Sequence, residues 1–226
     1  SPTILKRRFV DNVTKNKVLG VYSINDDVLS KTEDEKFLGF LKKMIHKFDL
    51  VIVSDYGHGL ISKKVSKFIC KNSKYLALNA QINAANRGYH GMRNYSNIQC
   101  VIINENEIRH DLRDKNSKIE ILMKKLSQGQ KIKNLVVTRG IEGAILYSSN
   151  DKKFFYSEAY SKIAVDKIGA GDAMLSIISL CLKNKLSKDL SLLIGSLAGA
   201  QSVSSIGNKE AISKFKILKS LEHILK

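Results

Sequence analysis

Proline occurs once in the 226 residues, at Pro2, so no proline-marked linker interrupts the chain. No internal repeat or low-complexity segment is visible either, and no domain boundary is indicated after Asn25. Cysteine is almost as scarce. Cys70, Cys100 and Cys181 are isolated and odd in number, which argues against a disulfide framework or a CxxC metal site and points to reduced, mostly buried thiols. Long apolar runs are missing as well: stretches such as Met174 to Leu182 end well short of the roughly 20 residues a membrane span needs, and "SPTILKRRFV" has no signal-peptide core. A soluble, cytoplasmic chain with no membrane partner is expected. Acidic residues are in deficit, 21 Asp and Glu against 38 Lys and Arg, for a formal charge of +17. Such an excess by itself implies an anionic partner, whether nucleic acid, a membrane surface or a phosphorylated ligand. The lysines, however, are scattered along polar helix faces, as in "KKVSKFICKNSK" and "KKLSQGQKIK", with no arginine-rich stripe and no interleaved aromatics. They read as solvated faces, and nucleic-acid binding is not expected.

What is present is enough apolar sequence, 43%, for one sizeable core, arranged with a clear rhythm. "DLVIVSD" reads as a buried strand, "SKKVSKFICKN" as an amphipathic helix, and "YLALN" and "CVIIN" as further strands. "SKIEILMKKLS" is a helix, "NLVVTRG" a strand, and "GAILYSS" with "KKFFYSE" an antiparallel pair, before helices starting near Gly171 and Ser187. The alternation predicts an α/β fold with a mostly parallel central sheet covered on both faces, its ligand lying beyond the carboxyl ends of the strands. Polar residues stand at those ends: Asp55, Asn79, Asn104 and Thr138. Each also suits a turn for local reasons; together they look like the rim of a site. "TILKRRFVD" and "KVLGVYSI" read instead as two strands without an intervening helix, a hairpin within residues 1–25 at an edge of the fold. Residues 26–226 form the core, opening on the helix start "SKTEDEKF", with Ser30 or Thr32 as its cap.

The stretch "AVDKIGAGDAMLSIISL" puts Gly169, Ala170, Gly171 and Asp172 where an apolar helix begins. Glycine is poor in a helix but suits a backbone that a ligand must approach closely. A helix opening this way leaves N–H groups without intrahelical partners and without side chains to screen them, an anion hole able to stabilise a phosphoryl group in transfer. Asp172, beside the positive helix end, is kept as a carboxylate ready to take a proton from an attacking hydroxyl. The residues alone leave a second reading open, in which glycine and aspartate merely shape and cap a helix.

"DKIGAGDAM" resembles the D-T-x-G-A-G-D signature of the ribokinase-like (PfkB) family of carbohydrate kinases. "NENE", Asn104 to Glu107, matches that family's N-x-x-E motif, and "TRGIEG", Thr138 to Gly143, resembles its T-x-G-x-x-G turn. In "SLAGAQSVSSIGN", Ala198, Ala200 and Gly207 resemble the segment beside adenine, and "VIVSDYGHGLIS" is similar to the D-Y-x-K-G segment of the heptose-7-phosphate kinase branch, with His58 in place of lysine. The resemblance runs from about Asp49 to Gly207, and extends less closely over the hairpin as part of a sugar-covering lid. It implies a ribokinase-like α/β/α fold and ATP-dependent phosphorylation of a sugar or sugar phosphate. Asn104 and Glu107 would orient Mg²⁺. Thr138, Gly140, Gly143, Ala200 and Gly207 would hold the nucleotide with Asn104, while Gly169, Ala170, Gly171 and Asp172 would be catalytic. The branch is often fused to a nucleotidyltransferase, which a longer chain would carry; no H-x-G-H motif occurs in this one.

Two departures qualify that picture. Lys167 stands where the family usually has threonine, a long cation that either helps hold phosphate or obstructs it. The family's opening strand and glycine-containing sugar contacts have no counterpart before Thr3, so the sequence reads as a fragment or as a short form with a reduced substrate site. An exposed sheet edge and a homodimer along it are then expected. "NAQINAANRGYHGMRNY" offers Arg87 and Arg93 as clamps for phosphate or sugar oxygens, or else is a polar loop that satisfies its own backbone, and Asp55 is a further substrate candidate. His58 and His90 lack companions at metal-ligand spacing. G-x-G-x-x-G and G-x-x-x-x-G-K-[ST] are absent, which argues against Rossmann and P-loop sites. The competing reading is a non-catalytic kinase-like module that binds nucleotide or a partner chain.

Overall fold

Short apolar runs ending in polar residues become the strands at the centre of the molecule. The computed structural model describes residues 3–13, 17–25, 27–82, 90–161, 168–204 and 210–224. Six strands form the main sheet in sequence order: β3 (Val51–Asp55), β4 (Leu76–Ala80), β5 (Cys100–Asn104), β6 (Asn134–Thr138), β7 (Ala144–Ser148) and β8 (Lys153–Ser157). The first four run parallel and the last two antiparallel, so the carboxyl ends of β3 to β6 share one edge, as the alternation predicts.

Side chains alternate across the sheet because the strand repeat is two residues. Val53, Leu78, Val101, Ile103, Leu135 and Val137 point to one face and pack under α1 (Lys31–Met44), α2 (Lys63–Asn72), α3 (Glu105–Leu112) and α4 (Ile119–Gln130). Ala77, Cys100, Ile102, Val136 and Leu146 point to the other, against Met174, Leu175 and Ile178 of α5 (Ala170–Lys183) and Leu192 of α6 (Lys188–Val203). A strand buried on both faces needs apolar residues at every position, which is why "CVII" and "LVV" carry no alternation. The helices covering them follow their caps. Ser30, not Thr32, closes a capping box with Glu33 at the start of α1, and Ser62 Oγ accepts from Val65 N–H at α2.

Two helices were not expected. α3 follows β5 without a connecting loop, and its eight residues bury only Glu107 and Ile108, too few to show a period. α7 (Lys214–Ile224) does carry an amphipathic spacing, and packs Ile217 against Leu197 and Ala198 of α6. The N-terminal strands, β1 (Leu5–Val10) and β2 (Lys17–Ser23), pair antiparallel in a separate two-stranded sheet. No helix among the described residues is long and apolar enough to cross a membrane.

Candidate active site

A cavity of about 1110 Å³ opens at the carboxyl edge of the sheet. Its lining draws on Asn79 after β4, Asn104 and Glu107 at the β5–α3 junction, and Thr138, Arg139, Gly140 and Gly143 after β6. Gly169, Ala170, Gly171 and Asp172 line it at the start of α5, and Gly199 and Ala200 do so from α6. The hairpin reaches the same space with Lys6, Arg8, Tyr22 and Ile24, so segments scattered over the whole chain meet at one place.

At α5 the backbone does what its glycines permit. Gly169, the N-cap, sits at φ 89°, a left-handed conformation, and has no side chain with which to cap the helix. The first intrahelical bond is Ala173 N–H to Gly169 O at 2.9 Å, which leaves the N–H groups of Ala170, Gly171 and Asp172 without a partner in the helix. A Cβ at Gly171 would meet nothing within 4 Å, so it is not packing that requires glycine there. The Asp172 carboxylate is taken up elsewhere: Oδ1 accepts from Ser54 Oγ and Oδ2 from Tyr56 Oη, both at 3.3 Å. Burial, followed by the negative charge of Asp172, raises the Tyr56 phenol above its usual range.

Glu107 and Asn104 form a reciprocal pair at the head of α3, and Glu107 Oε1 also accepts from Ile82 N–H at 3.3 Å. Burial is the main reason its carboxyl is pushed up to about 6, with Asp172 adding to the rise against the two backbone donors. The turn after β6 is held from its side chains and its glycines. Arg139 bridges Glu105 at 2.8 Å and pairs with Glu142. Gly140 and Gly143 sit at φ 60° and 81°, and a Cβ on Gly143 would run into the Ser157 carbonyl. Across the cavity, Gly199 lets α6 approach Met174 of α5.

The structure gathers most of the sequence-predicted residues and turns others away. Asp55 does not line the cavity. It is on the opposite face of β3 from Ser54 and is buried, its carboxylate accepting from Tyr95 Oη and from Gly57 N–H. Alternation sends Ser54 to the other face, where it meets Asp172 without itself lining the cavity. Arg93 is exposed in a short turn beside β5 and is also outside the cavity lining. Ala198 is buried in the α6 core, two residues before the lining position Ala200. Arg87, Lys167 and Gly207 lie outside the described residues. His58 lines the cavity, whereas His90 is buried with its Nε2 on the Asp55 carbonyl oxygen at 3.0 Å. No cluster of three or more His, Cys, Asp or Glu able to hold a metal occurs among the described residues. Sequence reasoning missed Ser54 and Tyr56, whose alternation about Asp55 was the available signal, and the hairpin residues Lys6 and Arg8.

The fold is ribokinase-like. Escherichia coli phosphofructokinase-2, solved in complex with potassium, superposes with a TM-score of 0.77 at 13% identity, over 98% of this chain and 71% of that one. A ribokinase from Thermotoga maritima gives 0.73 at 18%, over 98% and 70%. In sequence, the chain is 27% identical over 191 residues to the bifunctional protein HldE of Campylobacter fetus, covering 83% of this chain and 38% of the relative. The HldE of Campylobacter jejuni strain RM1221 is 25% identical over 186 residues, covering 81% and 39%. The chain thus spans about two fifths of the length of these curated relatives. The family model for pfkB carbohydrate kinases matches residues 2–214, and the chain belongs to that family.

Proposed function

We propose that the cavity carries out ATP-dependent transfer of a phosphoryl group to a hydroxyl of a sugar or sugar phosphate, with Asp172 as the base. One observation carries this reading: the Asp172 carboxylate is turned to Ser54 and Tyr56, and the three leading N–H groups of α5, without a helical partner or a side-chain cap among the described residues, stand beside it in the same cavity. A carboxylate serving only as a cap at this third helical position would have turned back to the Gly169 N–H.

The roles follow from that arrangement. Ala170, Gly171 and the helix dipole stabilise negative charge on the phosphoryl oxygens as it develops. Asp172 accepts the proton of the acceptor hydroxyl as the hydroxyl oxygen bonds to phosphorus and the bond to the ADP oxygen breaks. Thr138, Gly140, Gly143 and Ala200 line the nucleotide side, and Gly207 would join them. Both Glu107 oxygens already accept a backbone N–H, which fits a Mg²⁺ ion held mainly by phosphates and water, with Glu107 and Asn104 in its outer shell. Bound there, Mg²⁺ would supply charge neutralisation at the phosphates. Lys6, Arg8 and Tyr22 face the acceptor from the hairpin, with Arg87 an additional candidate. The resemblance of "DYGHG" to the heptose-7-phosphate kinase branch makes heptose 7-phosphate the first acceptor to try.

Calorimetry with Mg-ATP and an ADP-release assay with sugars and sugar phosphates test the proposal. Acceptor-dependent ADP release is expected, and Asp172→Asn should lower it by roughly 10²- to 10⁴-fold, the usual effect of removing a positioned base, while nucleotide affinity stays within a few-fold. A variant that turns over like the wild type would sink the assignment.

A further inference from the structure

Ser54 and Tyr56 lie more than 110 residues before Asp172 in sequence, yet each donates to a different oxygen of its carboxylate. We propose that these two hydroxyls are positioning residues that fix the carboxylate plane toward the acceptor hydroxyl, an inference resting on the reading of Asp172 as the base.

An aspartate at the third helical position ordinarily has a nearer use: its carboxylate swings back to the N–H of the N-cap residue, here Gly169. With one hydroxyl on Oδ1 and another on Oδ2, both at 3.3 Å, swinging back would break two bonds at once. Each oxygen keeps a lone pair for the incoming proton. A general base works only within hydrogen-bond reach and in line, and misplacement by about 1 Å can cost roughly 10²-fold in rate.

The two donors are themselves held from behind. Alternation along β3 sends the intervening Asp55 to the opposite face, where Tyr95 Oη and Gly57 N–H donate to its carboxylate. The Asp55 carbonyl oxygen meets His90 Nε2 at 3.0 Å and accepts from Gln81 N–H at 2.9 Å. The end of β3 is therefore pinned on its far side, and Ser54 and Tyr56 project from a fixed backbone. Lys6 Nζ lies 5.1 Å from the Tyr56 ring centroid and the His58 ring stacks at 6.4 Å, so the phenol is also confined on the cavity side.

The contact can be read without turnover. In protein labelled with ¹³C at the tyrosine ring, the Tyr56 resonance, assigned by its loss in Tyr56→Phe, is expected to titrate above the ordinary phenol range and to move down in Asp172→Asn. Identical titration in both proteins would overturn the contact. The kinetic arm asks what the contact does: Tyr56→Phe and Ser54→Ala should each lower kcat about 10-fold with the nucleotide KM unchanged, and Ser54→Thr, which restores the donor, should recover most of it. Unchanged kcat in both variants, or no rescue by threonine, would overturn the positioning role. Wild-type turnover in Asp172→Asn together with a lowered Tyr56 titration would remove the base assignment instead, leaving the contact real but without a catalytic purpose.

Discussion

Asn104 and Glu107 hold each other at the start of α3: Glu107 N–H donates to Asn104 Oδ1 at 2.9 Å and Asn104 N–H to Glu107 Oε2 at 2.7 Å. The same carboxylate lines the cavity, is buried, and has its carboxyl raised from 4.5 to about 6, mainly by desolvation. A raised carboxyl means that the folded state binds the proton more tightly than the unfolded chain. Its contribution is fully present below 4.5 and is lost as pH rises through about 6. The loss is about 2 kcal/mol at most, from a shift of this size. Urea unfolding across that window should show the decline in the wild type, and Glu107→Gln, which cannot titrate, should flatten it.

The second expectation for Glu107 concerns magnesium. With both oxygens on backbone donors, the side chain would act on the ion through water, by charge. Glu107→Gln should therefore weaken the magnesium enhancement of nucleotide binding by several-fold, while substitutions at Thr138 or Gly140 lower nucleotide affinity with or without the ion. Equal magnesium responses in wild type and Glu107→Gln, measured by calorimetry, would reduce "NENE" to a strand-to-helix cap.

Asp55 gives a contrasting test, because it stands at a strand end like Asn104 but faces the interior. Asp55→Ala leaves the buried Tyr95 hydroxyl without its acceptor and should lower unfolding stability by about 1–3 kcal/mol. Nucleotide affinity of the folded fraction should be unaffected. A variant of wild-type stability with impaired sugar binding would return Asp55 to the substrate site.

The parallel sheet was legible because β3 to β6 are apolar runs ending in Asp55, Ala80, Asn104 and Thr138, and the cavity because those ends share an edge. The α5 site was legible through Gly169 and Gly171, since only backbone chemistry explains glycine at the start of an apolar helix. Which polar residue at the end of β3 reaches the site was not legible: Asp55 and Ser54 are adjacent, and alternation along the strand gives only Ser54 to Asp172. Nor was the use of Asp172 as an acceptor for Ser54 and Tyr56, since that pairing depends on where α5 crosses β3. Lys6 and Arg8 look like any other cations of a basic chain until the hairpin is seen beside the cavity.

Gly143 and Gly171 both line the cavity, but only Gly143 has a packing reason to be glycine. Gly143 has φ 81°, and a Cβ there would strike the Ser157 carbonyl and the backbone of Glu158. Gly143→Ala should therefore cost more than about 2 kcal/mol, through left-handed strain plus displacement of β8. Gly171 is different: it is helical, and a Cβ would touch nothing within 4 Å. Judged on the protein alone, Gly171→Ala should be neutral or stabilising, by up to about 1 kcal/mol. The added methyl would stand, however, beside the N–H groups assigned to the phosphoryl oxygens, keeping an anion from close approach. The expected result is an unchanged or higher melting temperature together with nucleotide affinity at least about 10-fold weaker, since losing one charge-assisted hydrogen bond is worth about 1.5–3 kcal/mol. If Gly171→Ala binds Mg-ATP as tightly as the wild type, those N–H groups do not hold phosphate, and the anion-hole reading of α5 fails even with Asp172 in place.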